Sequence, residues 1–316
     1  MNLSPKRVVY YFCMNPEIDP VAHRVFEASA RHMDLRPLPV SVDGYPALSH
    51  ERGDGHLFTY IRTSDVISHN YEAYLPIMNE HFADFDFGAV VNWHEGQNAP
   101  DRVLTVHTTG DVVSGNFGPA NPLYMRQLML SIERNRRALR LDDFSTVTEA
   151  THWSGIVYDG APELIPRYPV PLVDVEIGST PESWSNEVAV EVVARSLTEV
   201  FDAACDGVKS LLCVGGVHLE RSFAAAVLET ERAYPLAVSH ILANHWLISG
   251  GYEQESGIEK LEAGARAVVG VPVDAIVFHD SIKSAYKQQC RALGERLGVP
   301  VFKHRALACP QSLPLW

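Results

Sequence analysis

Four short apolar stretches of this chain end alike: a run of β-branched or aliphatic residues gives out into a histidine, with glycine close by. They are Phe87-Gly88-Ala89-Val90-Val91 leading to His94, Val103-Leu104-Thr105-Val106-His107 ahead of Gly110, Thr146-Val147-Thr148-Glu149-Ala150-Thr151-His152 ahead of Gly155, and Ser210-Leu211-Leu212-Cys213-Val214 leading through Gly215-Gly216 to His218. Runs this short, separated by segments of helical periodicity, specify buried strands of an α/β sheet. Polar strand ends of such a sheet line the crevice where ligands bind, so the pattern places four imidazoles along one edge.

Read in order, the chain predicts repeated β–α alternation. Val8 to Phe12 is a first strand, and Asp19-Pro20 starts a helix with Val21, Val25, Phe26 and Met33 inward. Tyr60-Ile61-Arg62 is a strand, followed by a helix through Tyr71, Tyr74, Leu75 and Met78. Gly110, Gly115, Gly118 and Pro119 mark a loop suited to be a lid, ahead of a helix from Pro122 to Leu139. Val170 to Ile177 is a strand, and Thr180-Pro181 caps a long helix running to about Ala204. Helices are expected near Phe223 to Glu231, Ile241 to Leu247 and Ser281 to Leu297, with a strand at Ala275 to Phe278. The expected fold is α/β: a single domain over residues 1–316 with a mixed, mostly parallel central sheet flanked by helices on both faces.

A net charge of −13 argues against a broad nucleic-acid footprint, which needs Lys and Arg opposite phosphates. DNA is not an expected partner. The one dense basic segment is Arg134-Asn135-Arg136-Arg137-Ala138-Leu139-Arg140, readable equally as a solvated helix face. No window reaches the ~20 apolar residues of a membrane span, and no amino-terminal signal pattern is present, so a cytoplasmic location is expected. Cys13, Cys205, Cys213, Cys290 and Cys309 are scattered and odd in number, which predicts reduced thiols.

The chemistry rests on the strand-end groups. Imidazoles and carboxylates are the usual ligands of a catalytic zinc, which keeps one position for water. His94, His107, His152, His218 and Glu176 can supply such a set. A metal-free reading stays open beside it: His107 or His152 as general base, oriented by Glu149 or Glu176, with backbone amides such as that of Gly110 facing an oxyanion. Gly215-Gly216 has neither a P-loop lysine nor dinucleotide spacing, and no GxSxG elbow marks a nucleophilic serine.

In their order, Thr105-Val106-His107-Thr108-Thr109-Gly110, Glu149-Ala150-Thr151-His152, Val175-Glu176-Ile177-Gly178-Ser179-Thr180 with Trp184, and Gly215-Gly216-Val217-His218 resemble the signature blocks of the archaeal and plant type of D-aminoacyl-tRNA deacylase. The similarity runs from about Phe87 to His245 and includes His240. The resemblance implies a cytosolic hydrolase of the ester joining a D-amino acid to tRNA, a fold related to peptidyl-tRNA hydrolase and phosphorylase-like sheets, and zinc as cofactor. Catalytic roles are expected for His107, His152, Glu149 and Glu176, and substrate contacts at Thr108, Gly110, Ser179, Gly215 and Gly216 and at Trp93 and Trp153, two tryptophans that depart from the family pattern. Trp153 stands where the family carries a second histidine, so a stacking role is expected there. Two alternatives remain: a hydrolase or acyl transferase for a small aminoacyl metabolite, and an inactive binding protein. Either a monomer or a homodimer is compatible with these features.

Overall fold

A computed structural model describes residues 4–96, 98–202, 206–229 and 233–316. Its larger sheet draws on β1 (Arg7–Cys13), β2 (Arg36–Val42), β3 (Tyr45–Glu51), β4 (Leu57–Thr63), β5 (Phe87–His94) and β6 (Arg102–Thr108). After the small hairpin β7 (Gly110–Asp111) and β8 (Asn116–Phe117) come β9 (Ser145–Thr148) and β10 (Leu172–Ser179). Their spatial order is β2-β3-β4-β1-β5-β10-β6-β9. The pairs β1–β4, β1–β5, β5–β10 and β6–β9 are parallel; β10–β6, β2–β3 and β3–β4 are antiparallel.

Neighbouring residues of β1 show why this sheet is covered on both faces. The Tyr10 hydroxyl donates to the Leu197 carbonyl at the end of a helix, while the Tyr11 ring packs edge-on against Phe82 of another. The helices are α1 (Ala22–His32), α2 (Tyr71–Phe82), α3 (Pro122–Ala138), α4 (Pro181–Trp184), α5 (Glu187–Leu197), α6 (Arg221–Leu228), α7 (Asn244–Ser249), α8 (Gly257–Arg266) and α9 (Ser284–Leu297). None is long and apolar enough to cross a membrane.

A second sheet was not foreseen. It is all parallel, β11 (Lys209–Val214), β12 (Leu236–Leu242), β13 (Ala275–Phe278) and β14 (Val301–Lys303), in the order β12-β11-β13-β14. One core spans both sheets, joining Leu104 and Val106 of β6 to Leu211, Val238 and Val277. Backbone bonds from the Ala150 amide to the His218 carbonyl and from the Thr151 amide to the Ile241 carbonyl, 2.8 Å each, tie them further.

Several expectations need correction. The helix placed at Ile241 to Leu247 is instead the end of strand β12 followed by the short α7, because a fully buried parallel strand shows no polar alternation to separate it from a buried helix. The long helix from Thr180 breaks into α4 and α5, where the Asn186 side chain accepts from the Val188 and Ala189 amides and starts a new helix. Its expected end at Ala204, like Cys205, lies outside the described residues. The proposed lid is a hairpin in which the Gly118 amide bonds the Thr109 carbonyl. Strands β2 and β3 were overlooked; Asp43 and Gly44 both have positive φ and form the turn between them. The cysteines among the described residues are free thiols.

Candidate active site

The site grows from three adjacent strands. In β10, Asp174 and Glu176 share one face, as alternation requires. Antiparallel pairing sets Asp174 opposite His107 and Glu176 opposite Thr105 of β6, while parallel pairing sets Glu176 beside Asn92 and Gly178 beside His94 of β5. One patch of sheet therefore carries His94, His107, Asp174 and Glu176. Gly178 is required there, since a Cβ on it would lie 2.5 Å from the His94 Cβ. Glu149 and His152 come from the segment after β9, held by a bridge between His152 and Thr109, and His218 comes from the loop after β11.

Two triads result. His218 Nε2 and His94 Nε2 lie 2.7 and 3.4 Å from Glu149 Oε2. His107 Nε2 lies 3.5 Å from Glu176 Oε1 and 3.9 Å from Asp174 Oδ2, and its ring stacks on His152 with centroids 3.8 Å apart. His152 joins the triads, 4.9 Å from the His218 ring. The donor atoms within each set, His94–Glu149–His218 and His107–His152–Glu176, lie within 4.8 Å of one another.

Three of these imidazoles are locked through Nδ1. His107 Nδ1 donates to the Thr108 carbonyl (3.1 Å) and His152 Nδ1 to the Ala150 carbonyl (2.9 Å). Ser179 Oγ donates to the Pro100 carbonyl (2.9 Å), so it accepts from His94 Nδ1 (2.7 Å). Each bond fixes the ring and leaves Nε2 for the centre of the site.

Burial and charge pull these groups in opposite directions. Burial disfavours charged His107, but Asp174, Glu176 and Glu149 outweigh it and raise the imidazole to about 10. Burial likewise opposes protonation of His94, and Glu149 again prevails to raise it. Burial pushes Asp174 up, and burial with the Glu149 charge pushes Glu176 up to about 8. Glu149 resists burial through its bonds to His218 and His94 and stays well below the usual carboxylate range. His152 is held neutral by burial and by the neighbouring His107. The cluster thus collects protons around its carboxylates, positive charge of the kind a divalent cation supplies.

A cavity of about 390 Å³ meets this cluster at His152 and is otherwise lined by Gly110, Val112, Val113, Ile156, Val157 and Trp246 among others. Trp246, which the sequence reading missed, lies over His152 with ring centroids 5.8 Å apart and nearly parallel planes. Its only sequence signal is a position four residues beyond a strand, too weak to single out.

The structure does not bring every expected substrate contact to this cavity. Trp153 lines one wall but is only 5% exposed, its ring set edge-on to Tyr71 and roofed by the backbone of Gly155 and Gly160, so it has no free face for stacking. Trp93 lies edge-on to His69. Thr108 is buried, with its hydroxyl 2.7 Å from Thr151 Oγ1 and 2.9 Å from His240 Nδ1; it stitches the two sheets together. Ser179 orients His94. Gly215 and Gly216, at φ +95° and +85°, turn the chain toward His218 between Ile282 and Glu220.

The D-aminoacyl-tRNA deacylase family model matches residues 81–302 of this chain. The D-aminoacyl-tRNA deacylase of Desulfurococcus amylolyticus is 26% identical over 285 residues, covering 87% of this chain and 90% of that protein. That of Cenarchaeum symbiosum is 24% identical over 189 residues, 58% of this chain and 67% of its own. The Methanosphaerula palustris protein is 33% identical over 150 residues, 45% of this chain but 30% of its own length, so the chain spans a minor part of that longer relative. Among solved structures, a conserved protein of unknown function superposes with a TM-score of 0.73 at 20% identity, covering 96% of this chain and 97% of that one, and shares its fold. With seven-tenths of its length under the family model, the chain belongs to the D-aminoacyl-tRNA deacylase family.

Proposed function

We propose that this protein is a cytoplasmic hydrolase that cleaves the ester between a D-amino acid and tRNA with water activated at the His–Glu cluster. The relatives' names supply the substrate class, and one structural observation supports the chemistry: His94, His107 and His152 are each locked at Nδ1.

The residues fit a divalent ion such as zinc. Each triad contains a buried atom without a hydrogen-bond partner, Glu149 Oε1 in one and His107 Nε2 in the other. His94, Glu149 and His218 would hold one ion, and His107, His152 and Glu176 are a second set of the same make-up. When bound, such an ion lowers the pKa of a coordinated water and polarises a carbonyl.

The chain's own groups have separable tasks. His152, neutral and at the cavity wall, presents Nε2 as an acceptor for a proton from water. His107, kept protonated beside Asp174 and Glu176, carries a proton that can pass to the departing sugar oxygen. Trp246, Val112, Val113 and Val157 give the acyl side chain an apolar wall.

Ser179→Ala removes the acceptor that orients His94 while leaving all imidazoles in place. Its kcat on D-aminoacyl-tRNA is expected to fall roughly 10- to 100-fold with little change in melting temperature. An unchanged kcat would remove His94 orientation from the mechanism.

A further inference from the structure

We infer that the face of α9 bearing Lys283, Lys287 and Arg291, together with Lys303 at the end of β14, is the surface on which the phosphate backbone of tRNA docks. This rests on the proposed substrate and names where its nucleic-acid part is held. The chain is acidic overall, with 26 Lys and Arg against 39 Asp and Glu. Between positions 283 and 305 the balance reverses: Lys283, Lys287, Arg291, Arg296, Lys303 and Arg305 face the single acid Glu295.

Geometry gathers four of these cations. Lys283, Lys287 and Arg291 recur every four residues and form one stripe along α9. Lys287 Nζ and the Arg291 guanidinium lie 6.0 and 5.8 Å from the Phe278 ring centroid, and Lys283 Nζ lies 5.8 Å from that of Tyr286. Lys303 pairs in register with Phe278, so its side chain leaves the sheet on the same side.

Lys287 Nζ spends one donor on the Asp280 carbonyl (2.8 Å) and Lys283 lies within reach of the Glu253 charge, yet all four keep donors for phosphate. None of the four is in an ion pair among the described residues, whereas Arg296 is engaged by Glu262 and Arg305 by Asp280. Nearby acids are otherwise occupied or sparse: Glu253 accepts from the Tyr286 hydroxyl, and Glu295 sits one turn beyond Arg291. Three of the four arginines of the other basic segment are engaged, Arg134 by Glu199 and both Arg136 and Arg137 by Glu133.

The patch also points to the reaction centre. Strand β13 lies between β14 and β11, and β11 leads through Gly215-Gly216 to His218. Two strand spacings, about 10 Å, therefore separate Lys303 from the strand that delivers His218. An RNA duplex end held at α9 can pass its unpaired 3′ strand across this edge into the cavity.

The test uses the full chain and fluorescently labelled, uncharged tRNA, with affinity measured across a salt series. Replacing Lys283, Lys287, Arg291 and Lys303 by Gln is expected to weaken binding and to flatten the log–log salt slope by about 3, at 0.7 to 0.9 per lost contact. Turnover of a D-aminoacyl ester of adenosine should be unchanged, since none of the four touches the cluster. Arg134→Gln with Arg137→Gln is the matched control and should leave the slope intact. An unaltered slope in the quadruple variant, or absence of salt-dependent tRNA binding by the unmodified protein, overturns the inference. Binding of tRNA without hydrolysis of either ester would instead refute the proposed reaction and leave the docking surface standing.

Discussion

Gly178 lies where β10 passes beneath His94, and adding one methyl group there probes the site without removing any functional group. A Cβ at 178 would fall 2.5 Å from the His94 Cβ and 2.9 Å from its Nδ1, whereas ordinary contact begins near 3.4 Å. The deficit is about 0.9 Å, and neither atom is the end of a flexible side chain. Ser179 holds the ring from one side and Glu149 from the other, so Gly178→Ala must move the imidazole as a unit or shift β10. Overpacking of this size costs about 1 to 3 kcal/mol of stability. Displacing a site group by about 1 Å costs on the order of 100-fold in rate. Melting curves and single-turnover deacylation of D-aminoacyl-tRNA read the two effects separately. A variant with normal rate constant and normal stability would refute the placement of His94 over Gly178. A variant that is destabilised yet fully active would show that His94 takes no part in the reaction.

The remaining predictions separate structural from functional groups. Trp153→Ala should lose about 3 to 5 kcal/mol of stability, because a buried indole leaves a cavity; Trp246→Ala should instead raise KM with a much smaller change in melting temperature, and the reverse pattern would restore Trp153 as the stacking residue. Asp19 caps α1 by accepting from the Val21 and Ala22 amides, and burial raises its carboxyl to about 7. Its folded pKa therefore exceeds the unfolded value near 3.8, the folded state binds the extra proton between these limits, and stability should fall as pH rises from about 4 to 7. Asp19→Asn should flatten that part of the melting-temperature profile, and an equally sloped profile would contradict the assignment.

The sequence disclosed strands better than their partners. Val8 to Phe12 and Ser210 to Val214 are apolar on both faces and so announce buried parallel strands, yet nothing local says that they belong to different sheets. Strand β2 was hidden by Pro37 and Pro39, which an edge strand tolerates; the Asp43-Gly44 turn was its readable signal. At the site, each histidine could be picked out by its place after an apolar run. Their division into two triads could not, because Glu149 meets His94 only through the strand order of the larger sheet and His218 only through the packing of the second sheet against it. Trp153 misled for a related reason: adjacency to His152 in sequence says nothing about which side of the backbone its ring takes, and Tyr71 claims it for the core.

The most direct test of the account is the rate at which purified protein releases the amino acid from D-aminoacyl-tRNA, compared between the unmodified chain and His152→Ala. His152 contributes its Nε2 to the site and little to the hydrophobic core, so the variant should keep its melting temperature and lose at least about 100-fold in kcat. A folded His152→Ala protein that deacylates at the unmodified rate would contradict the claim that this cluster performs the hydrolysis.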